Sequence, residues 1–337
     1  MGVSIKDVAK KCGLAVSTVS RALNRQYGVS KETMEYVHKI ADELGYVPNL
    51  QAKELVQKKS NLVGVIIPES DAEARPAFFE IIPFLNQTLS LYNKEVLIVT
   101  VTTTPRKYIA NKLEMFIKAR NLEGCIIFPG FGSDHPIYKE AKKSNYPIVV
   151  IEENVLTKTC SNIQENNVMG AYLAVKHLID HGHKKIGFIN GPTLASICHD
   201  RLKGYRQAMA EHSLPLEEKW IITSDFTGEG GAKSVSELIA AQKQITAIFF
   251  ANDIMAIGAI SYLSSKGINV PKDLSIVGYD GMFITRYTTP PLTTIGSDPS
   301  IIGIRTAELL MELINGGVGK MERTTPELII RQSVKQI

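Results

Sequence analysis

A glycine turn between two short amphipathic stretches constrains this chain more than any other feature. Val3-Ser4-Ile5-Lys6-Asp7-Val8-Ala9 leads to Cys12-Gly13-Leu14, and Thr18-Val19-Ser20-Arg21-Ala22-Leu23-Asn24 follows. Gly13 ends the first helix, because glycine adopts the left-handed conformation a helix needs to stop. Ser4 is predicted to cap that helix, with Asp7 at the third position replacing the usual Glu. The second helix is predicted at about 16–23, with Val19 and Leu23 turned inward. Ser30 is predicted to cap a third helix, about 31–44, in which Met34, Val37, Ile40, Ala41 and Leu44 keep helical spacing until Gly45. Two short helices joined this way present the second one to a DNA major groove.

Readout then falls to side chains at the start of the second helix and one turn on. These are Val16, Ser17 and Arg21. Arg21 can fork onto a guanine edge or clamp a phosphate, the competing reading being a salt bridge to Asp7 or a glutamate. Val16 can touch a thymine methyl or simply fill core. Ser17 can bond either a base or a phosphate. Thr18, Ser20, Asn24 and Asn49 read as phosphate contacts that set register. The charge agrees: residues 1–60 hold ten of the 38 Lys/Arg but only six of the 34 Asp/Glu, so the whole net charge of +4 lies in the head.

From Leu62 the texture changes. Continuous apolar runs (Leu62–Ile67, Val96–Val101, Cys125–Phe128, Ile148–Ile151, Ile186–Ile189, Ile248–Ala251, Leu274–Val277) alternate with amphipathic stretches near 78–92, 107–119, 168–182, 200–212, 230–242, 253–266 and 299–314. That alternation predicts parallel sheets covered on both faces, and about 275 residues accommodate two.

Other chemistries find no support. Gly228-Glu229-Gly230-Gly231-Ala232-Lys233-Ser234 lacks the Gly-Lys pair of a phosphate loop. Gly130-Phe131-Gly132 has no third glycine at the required spacing. His181-Gly182-His183 reads as a helix end before it reads as a metal site. No catalytic constellation is legible, so the expectation is no enzyme activity, no cofactor and no metal. Four scattered cysteines (12, 125, 160, 198) read as core residues of a reducing cytosol. No apolar run reaches the ~18–20 residues of a membrane span. A cytoplasmic protein, nucleoid-associated when bound to DNA, is expected.

The order of motifs resembles the lactose-repressor (LacI/GalR) family of bacterial transcription regulators from Val3 to about Arg331. Beyond the head, the resemblance rests on Leu178-Ile179-(x)2-Gly182-His183-(x)2-Ile186, Asn190-Gly191-Pro192, Arg201-(x)2-Gly204-Tyr205, Ala251-Asn252-Asp253-(x)-Met255-Ala256-(x)-Gly258, Val277-Gly278-Tyr279-Asp280 and Pro291-Leu292-Thr293-Thr294-Ile295. It implies a helix-turn-helix head (1–48), a hinge (49–60) and a periplasmic-binding-protein-like α/β core (61–337). That core would have two Rossmann-like subdomains, about 61–161 with 292–321 and about 162–291 with 322–337, joined by three crossovers. It also implies a homodimer on a palindromic double-stranded operator and a small-molecule effector, a carbohydrate or a derivative, in the interlobe cleft. Partner control by a phosphocarrier protein is the alternative, and a solute-binding protein of the same core a weaker one, since such a protein carries a secretory signal and no DNA head.

Residues carry over position by position. The hinge, Pro48 to Gln57, has good helix formers but only about two turns, which predicts folding on DNA alone. Leu55 takes the family's minor-groove wedge position, Ala52 the close approach of two hinges, and Lys53 the place commonly held by Arg. Arg201, Asn252 and Asp280 match effector-binding positions, with an Arg201–Asp280 salt bridge as the competing reading. Glu152 is expected to face the cleft, and Phe78, Phe79 and Phe226 are candidate stacking faces. Three departures stand out. Ala15 replaces the usual capping residue before the recognition helix. Gly281 follows Asp280 where a polar residue is common, and Asn166-Asn167 replaces a more usual Asp-Asn pair. The last two are expected to leave the cleft less acidic.

Overall fold

The computed structural model describes residues 3–46, 60–69, 76–108 and 112–337, with side chains of the helix that begins at Pro76 described from Phe79. Asn49, Ala52, Lys53 and Leu55 lie outside the described residues. The chain divides into two units, Met1–Ser60 and Asn61–Ile337.

The first unit packs α1 (Ile5–Cys12), α2 (Val16–Leu23) and α3 (Lys31–Glu43) around Val8, Ala9, Val19, Ala22, Val37, Ile40 and Ala41. Asp7 accepts from both the backbone N–H and the hydroxyl of Ser4, at 2.9 and 2.6 Å, and these bonds hold its pKa below the usual carboxylate range. Gly13 turns the chain at φ 67°. Leu23 is only half-buried; Ala22 takes the central place beside Val19.

The second unit contains two sheets. The first runs in the order β11-β5-β4-β3-β1-β2, all parallel, from β1 (Leu62–Glu69), β2 (Glu95–Thr102), β3 (Gly124–Ile127), β4 (Ile148–Ile151), β5 (Cys160–Glu165) and β11 (Met321–Thr324). The second runs β12-β10-β9-β8-β6-β7, from β6 (Ile186–Asn190), β7 (Ile221–Thr223), β8 (Ala247–Phe250), β9 (Ser275–Tyr279), β10 (Thr293–Gly296) and β12 (Glu327–Ile329). Only β12 is antiparallel.

The chain crosses between sheets after Glu165, after Gly296 and after Thr324, a few residues later than the resemblance implied. Register is the reason. Thr293 pairs with Val277 and so keeps β10 in the second sheet, while Asn162 pairs with Met321 and so holds β5 and β11 in the first. Four strands (β5, β7, β10, β11) and the helix Pro136–Lys143 carry no strong apolar run or long periodicity and were not expected. In β5 the polar side chains are nonetheless buried, because Asn162 donates to the carbonyls of Val150, at 3.0 Å, and Glu153.

Helices cover both faces, as buried parallel strands require. In the second lobe α4 (Gly228–Ala241) and α5 (Asp253–Ser265) approach through glycine. A methyl on Gly258 would run into the carbonyl of Gly228, and one on Gly231 into that of Met255. Gly258→Ala is therefore expected to cost about 1–3 kcal/mol of stability, because backbone cannot yield as a side chain does. Urea denaturation checks this; an unchanged midpoint would show that the helix pair can separate at no cost.

Candidate functional site

On α2, Val16 is 42% exposed and Ser17, Arg21 and Asn24 also face outward. Thr18 and Ser20 are half-buried. The core therefore does not claim Val16. Asp7 is committed to Ser4, and Arg21 takes part in no ion pair among the described residues. Asn24 donates its amide to the Ser20 carbonyl at 2.8 Å, and so closes the end of α2. Ala15 enters the helix in extended conformation and has no side-chain oxygen to offer the first turn.

In the second unit, a cavity of about 380 Å³ lies where the carboxyl ends of both parallel sheets meet. Each strand end delivers a wall. Glu152 and Glu153 follow β4, Glu165 ends β5, Asp225 and Phe226 follow β7, Asn252 follows β8 and Asp280 follows β9. Pro68, Phe131, Ile151, Leu194 and Ile302 supply much of the apolar remainder. Glu152, Phe226 and Asp280 have φ of 63°, 70° and 110°, a left-handed backbone that costs free energy in non-glycine residues and concentrates at working sites.

Arg201 is the centre of the arrangement. It is buried, and its Nε donates to Asn167 Oδ1 at 2.8 Å while Nη1 donates to the Ala251 carbonyl. Its guanidinium lies 3.6 Å from the centre of the Tyr279 ring and 3.6 Å from Asp280 Oδ1. Glu152 accepts from Glu165 N at 2.7 Å and from Asn167 Nδ2 at 2.8 Å. Burial first, and the neighbouring Glu165 second, push the Glu152 carboxyl up to about 8. Burial likewise raises Asp280, against the pull of Arg201.

Asn252 borders the cavity, but its amide is spent locally. It caps α5 through Met255 N at 2.9 Å and holds the Phe226 carbonyl at 3.0 Å. Phe226 lines the cavity. Phe79 is 56% exposed and is not part of the wall, and the Phe78 side chain lies outside the described ones.

Gly281 and Asn166-Asn167, the departures expected to make the cleft less acidic, are not among the residues that line it. Glu80, Glu152, Glu153, Glu165, Asp225 and Asp280 all line it. Asn166 caps the following helix, and the acid stands one residue earlier, at Glu165. Sequence reasoning missed Glu80, Glu153, Glu165 and Asp225. For Glu153, Glu165 and Asp225 the available signal was a position at or just past a strand's carboxyl end; Glu80 stands on the helix Pro76–Leu91, where that signal does not exist.

The two lobes are tied at the rim. Ser133 N donates to the Leu194 carbonyl at 3.1 Å, Ser196 Oγ donates to Glu153 at 3.0 Å and to the Glu152 carbonyl at 3.1 Å, and Phe283 N donates to Glu80 at 3.1 Å. These bonds set the closure of the cavity.

Behind the site, His183 bonds Thr246 Oγ1 at 2.9 Å and the Lys335 carbonyl at 3.2 Å, and His181 bonds the His177 carbonyl at 2.8 Å. Burial foremost lowers both His177 and His183 to about 4. The unfolded chain, with histidines near 6.5, then binds more protons between those values. Stability from this pair is complete above pH ~6.5 and is lost as pH falls toward 4. Melting temperature is expected to drop from pH 7 to 5, and less steeply in His183→Gln; an identical slope in that variant would remove His183 from the account.

Residues 4–49 match the family model described as bacterial regulatory proteins, lacI family, and residues 175–334 match that of a periplasmic binding protein-like domain. The chain is 36% identical over 336 residues to the HTH-type transcriptional repressor PurR of Pasteurella multocida, covering 98% of each. It is 36% identical over 339 residues to the PurR repressor of Haemophilus influenzae, covering 99% of each. Among solved structures, the lac repressor dimer bound to operator and the anti-inducer ONPF superposes with a TM-score of 0.85 at 26% identity, over 99% of this chain and 100% of that one. The complex of the regulator CelR with cellobiose gives 0.75 at 26% identity, over 98% and 99%.

Proposed function

The chain belongs to the lacI family of bacterial regulatory proteins, and from that premise we propose that a sugar or sugar derivative in the interlobe cleft sets its affinity for an operator. The protein is a DNA-binding transcriptional repressor and not an enzyme. In our reading Val16, Ser17 and Arg21 read base edges, Thr18, Ser20 and Asn24 fix register on phosphates, and two heads of a homodimer span a palindrome. By the sequence resemblance, Asn49, Ala52, Lys53 and Leu55 serve the hinge. Arg201 and Asp280 hold effector hydroxyls, Glu152 supports them, and Phe226 lies against the ring.

One observation carries the effector assignment. Arg201, Asp280 and Phe226 from the second lobe and Pro68, Phe131 and Glu152 from the first converge on one cavity at the strand ends, so a ligand there contacts both lobes at once. The cellobiose held by the solved regulator CelR supports the sugar class. A ligand shifts operator affinity only as far as it binds two lobe arrangements unequally. The test is operator binding by fluorescence anisotropy, with and without sugars. A change of fivefold or more with one sugar supports the reading; unchanged affinity with every sugar, in a protein that binds its operator, removes it.

A further inference from the structure

The cavity is short of positive charge. Six carboxylates line it, and among the described residues of its wall Arg201 is the only Lys or Arg. Arg201 is already engaged by Asn167, the Ala251 carbonyl, the Tyr279 ring and Asp280. Glu153 is held by Ser133 and Ser196, and Asp225 by Thr227. Glu165 has a hydrogen bond from Ser297, the Tyr279 hydroxyl and Arg201 near it and the acidic Glu152 beside it, while Glu80 takes the Phe283 N–H and feels Arg286 from outside the wall. A neutral ligand that displaced water here would leave these acids desolvated without a counter-charge. An anionic ligand would add to the repulsion. Burial foremost, and Glu165 beside it, raise the Glu152 carboxyl, and the pull of Arg201 and Asn167 in the other direction does not restore its ordinary range.

We propose that the effector is cationic, an amino sugar whose ammonium sits against Glu165 and Asp280 while its ring lies on Phe226, and that sugar phosphates are rejected. This rests on the effector reading above and adds the ligand's charge. An ammonium fits because it offers three donors to carboxylates that share the single Arg201 between them, in a cavity walled largely by apolar groups where such a pair is strong. Its charge also returns Glu152 and Asp280 toward the ionised form, so binding near pH 7 releases protons. The groups that face Asp280 are Arg201, Glu165, Glu80, Cys198 and the buried Asp253; Arg201 is the one cation among them, so the incoming charge meets three further acids around a carboxylate that Arg201 shares.

The experiment is calorimetry on the full-length protein with glucose, galactose and mannose, their 2-amino-2-deoxy forms and their 6-phosphates, in two buffers of different ionisation enthalpy. The expected result is at least tenfold tighter binding of one amino sugar than of its parent, no binding of phosphates, and net proton release. Glu165→Gln, with its melting temperature measured alongside, is expected to narrow that preference at least fivefold. Equal or tighter binding of a neutral parent or a phosphate overturns the cationic assignment and leaves the effector reading standing. An undiminished preference in a folded Glu165→Gln overturns the placement of the ammonium. If no sugar of any class binds, the effector reading falls and this inference with it.

Discussion

Arg201→Ala is expected to abolish the response to effector and to cost about 3 kcal/mol of stability. The two losses have different origins. Stability falls because Asp280, Asn167 Oδ1 and the Ala251 carbonyl lose their donor inside the protein, and breaking a buried pair from one side costs about 3–5 kcal/mol. Protonation of Glu152 and Asp280, both already raised, offsets part of that, which places the figure at the low end. Effector response falls because the cavity loses its only fork donor among the described wall residues. Arg201→Lys is not a conservative rescue: an ammonium cannot bond Asn167 and Ala251 while stacking flat on Tyr279. Denaturant titration measures the first loss, and effector-dependent operator anisotropy the second. A folded Arg201→Ala protein that still responds would place the effector elsewhere.

Arg21→Ala should weaken operator binding by about 1–3 kcal/mol, roughly tenfold to a hundredfold, if its guanidinium forks onto a guanine. Folding stability should stay within about 0.5 kcal/mol, since the side chain is exposed and paired to nothing among the described residues. The salt dependence separates the two modes of contact. A base reader loses affinity for the operator and little for random DNA. A phosphate clamp loses both alike and lowers the salt slope by about one. Wild-type affinity in this variant would take Arg21 out of the interface.

Much of the head was legible because its information is local. Ser4 with Asp7, Gly13 and Ser30 are caps and stops whose partners lie within a turn or so, so sequence neighbours suffice. The strongest strands were equally legible, since Leu62–Ile67 or Ile148–Ile151 have no polar residue to interrupt them. β5 was not: Cys160-Ser161-Asn162-Ile163-Gln164-Glu165 looks like a surface segment. It becomes a buried strand because Asn162 finds the Val150 and Glu153 carbonyls in space. The crossovers slipped for a related reason. Where β10 belongs depends on its pairing with β9, which no local pattern encodes.

The cleft divides the same way. Arg201, Asp280 and Glu152 came from motif positions, and the structure brings them together at one cavity. Phe79 was a candidate stacking face without a motif behind it, and it faces outward.

The order of residues alone settled what kind of molecule this is, because helix caps, turn glycines and apolar runs act over a few neighbours and need no folded context. The charge of the ligand chamber was decided only when the two sheets came together, for Glu80, Glu153, Glu165 and Asp225 are far apart along the chain. A Coulomb sum depends on distances in space, and spacing in sequence does not supply them.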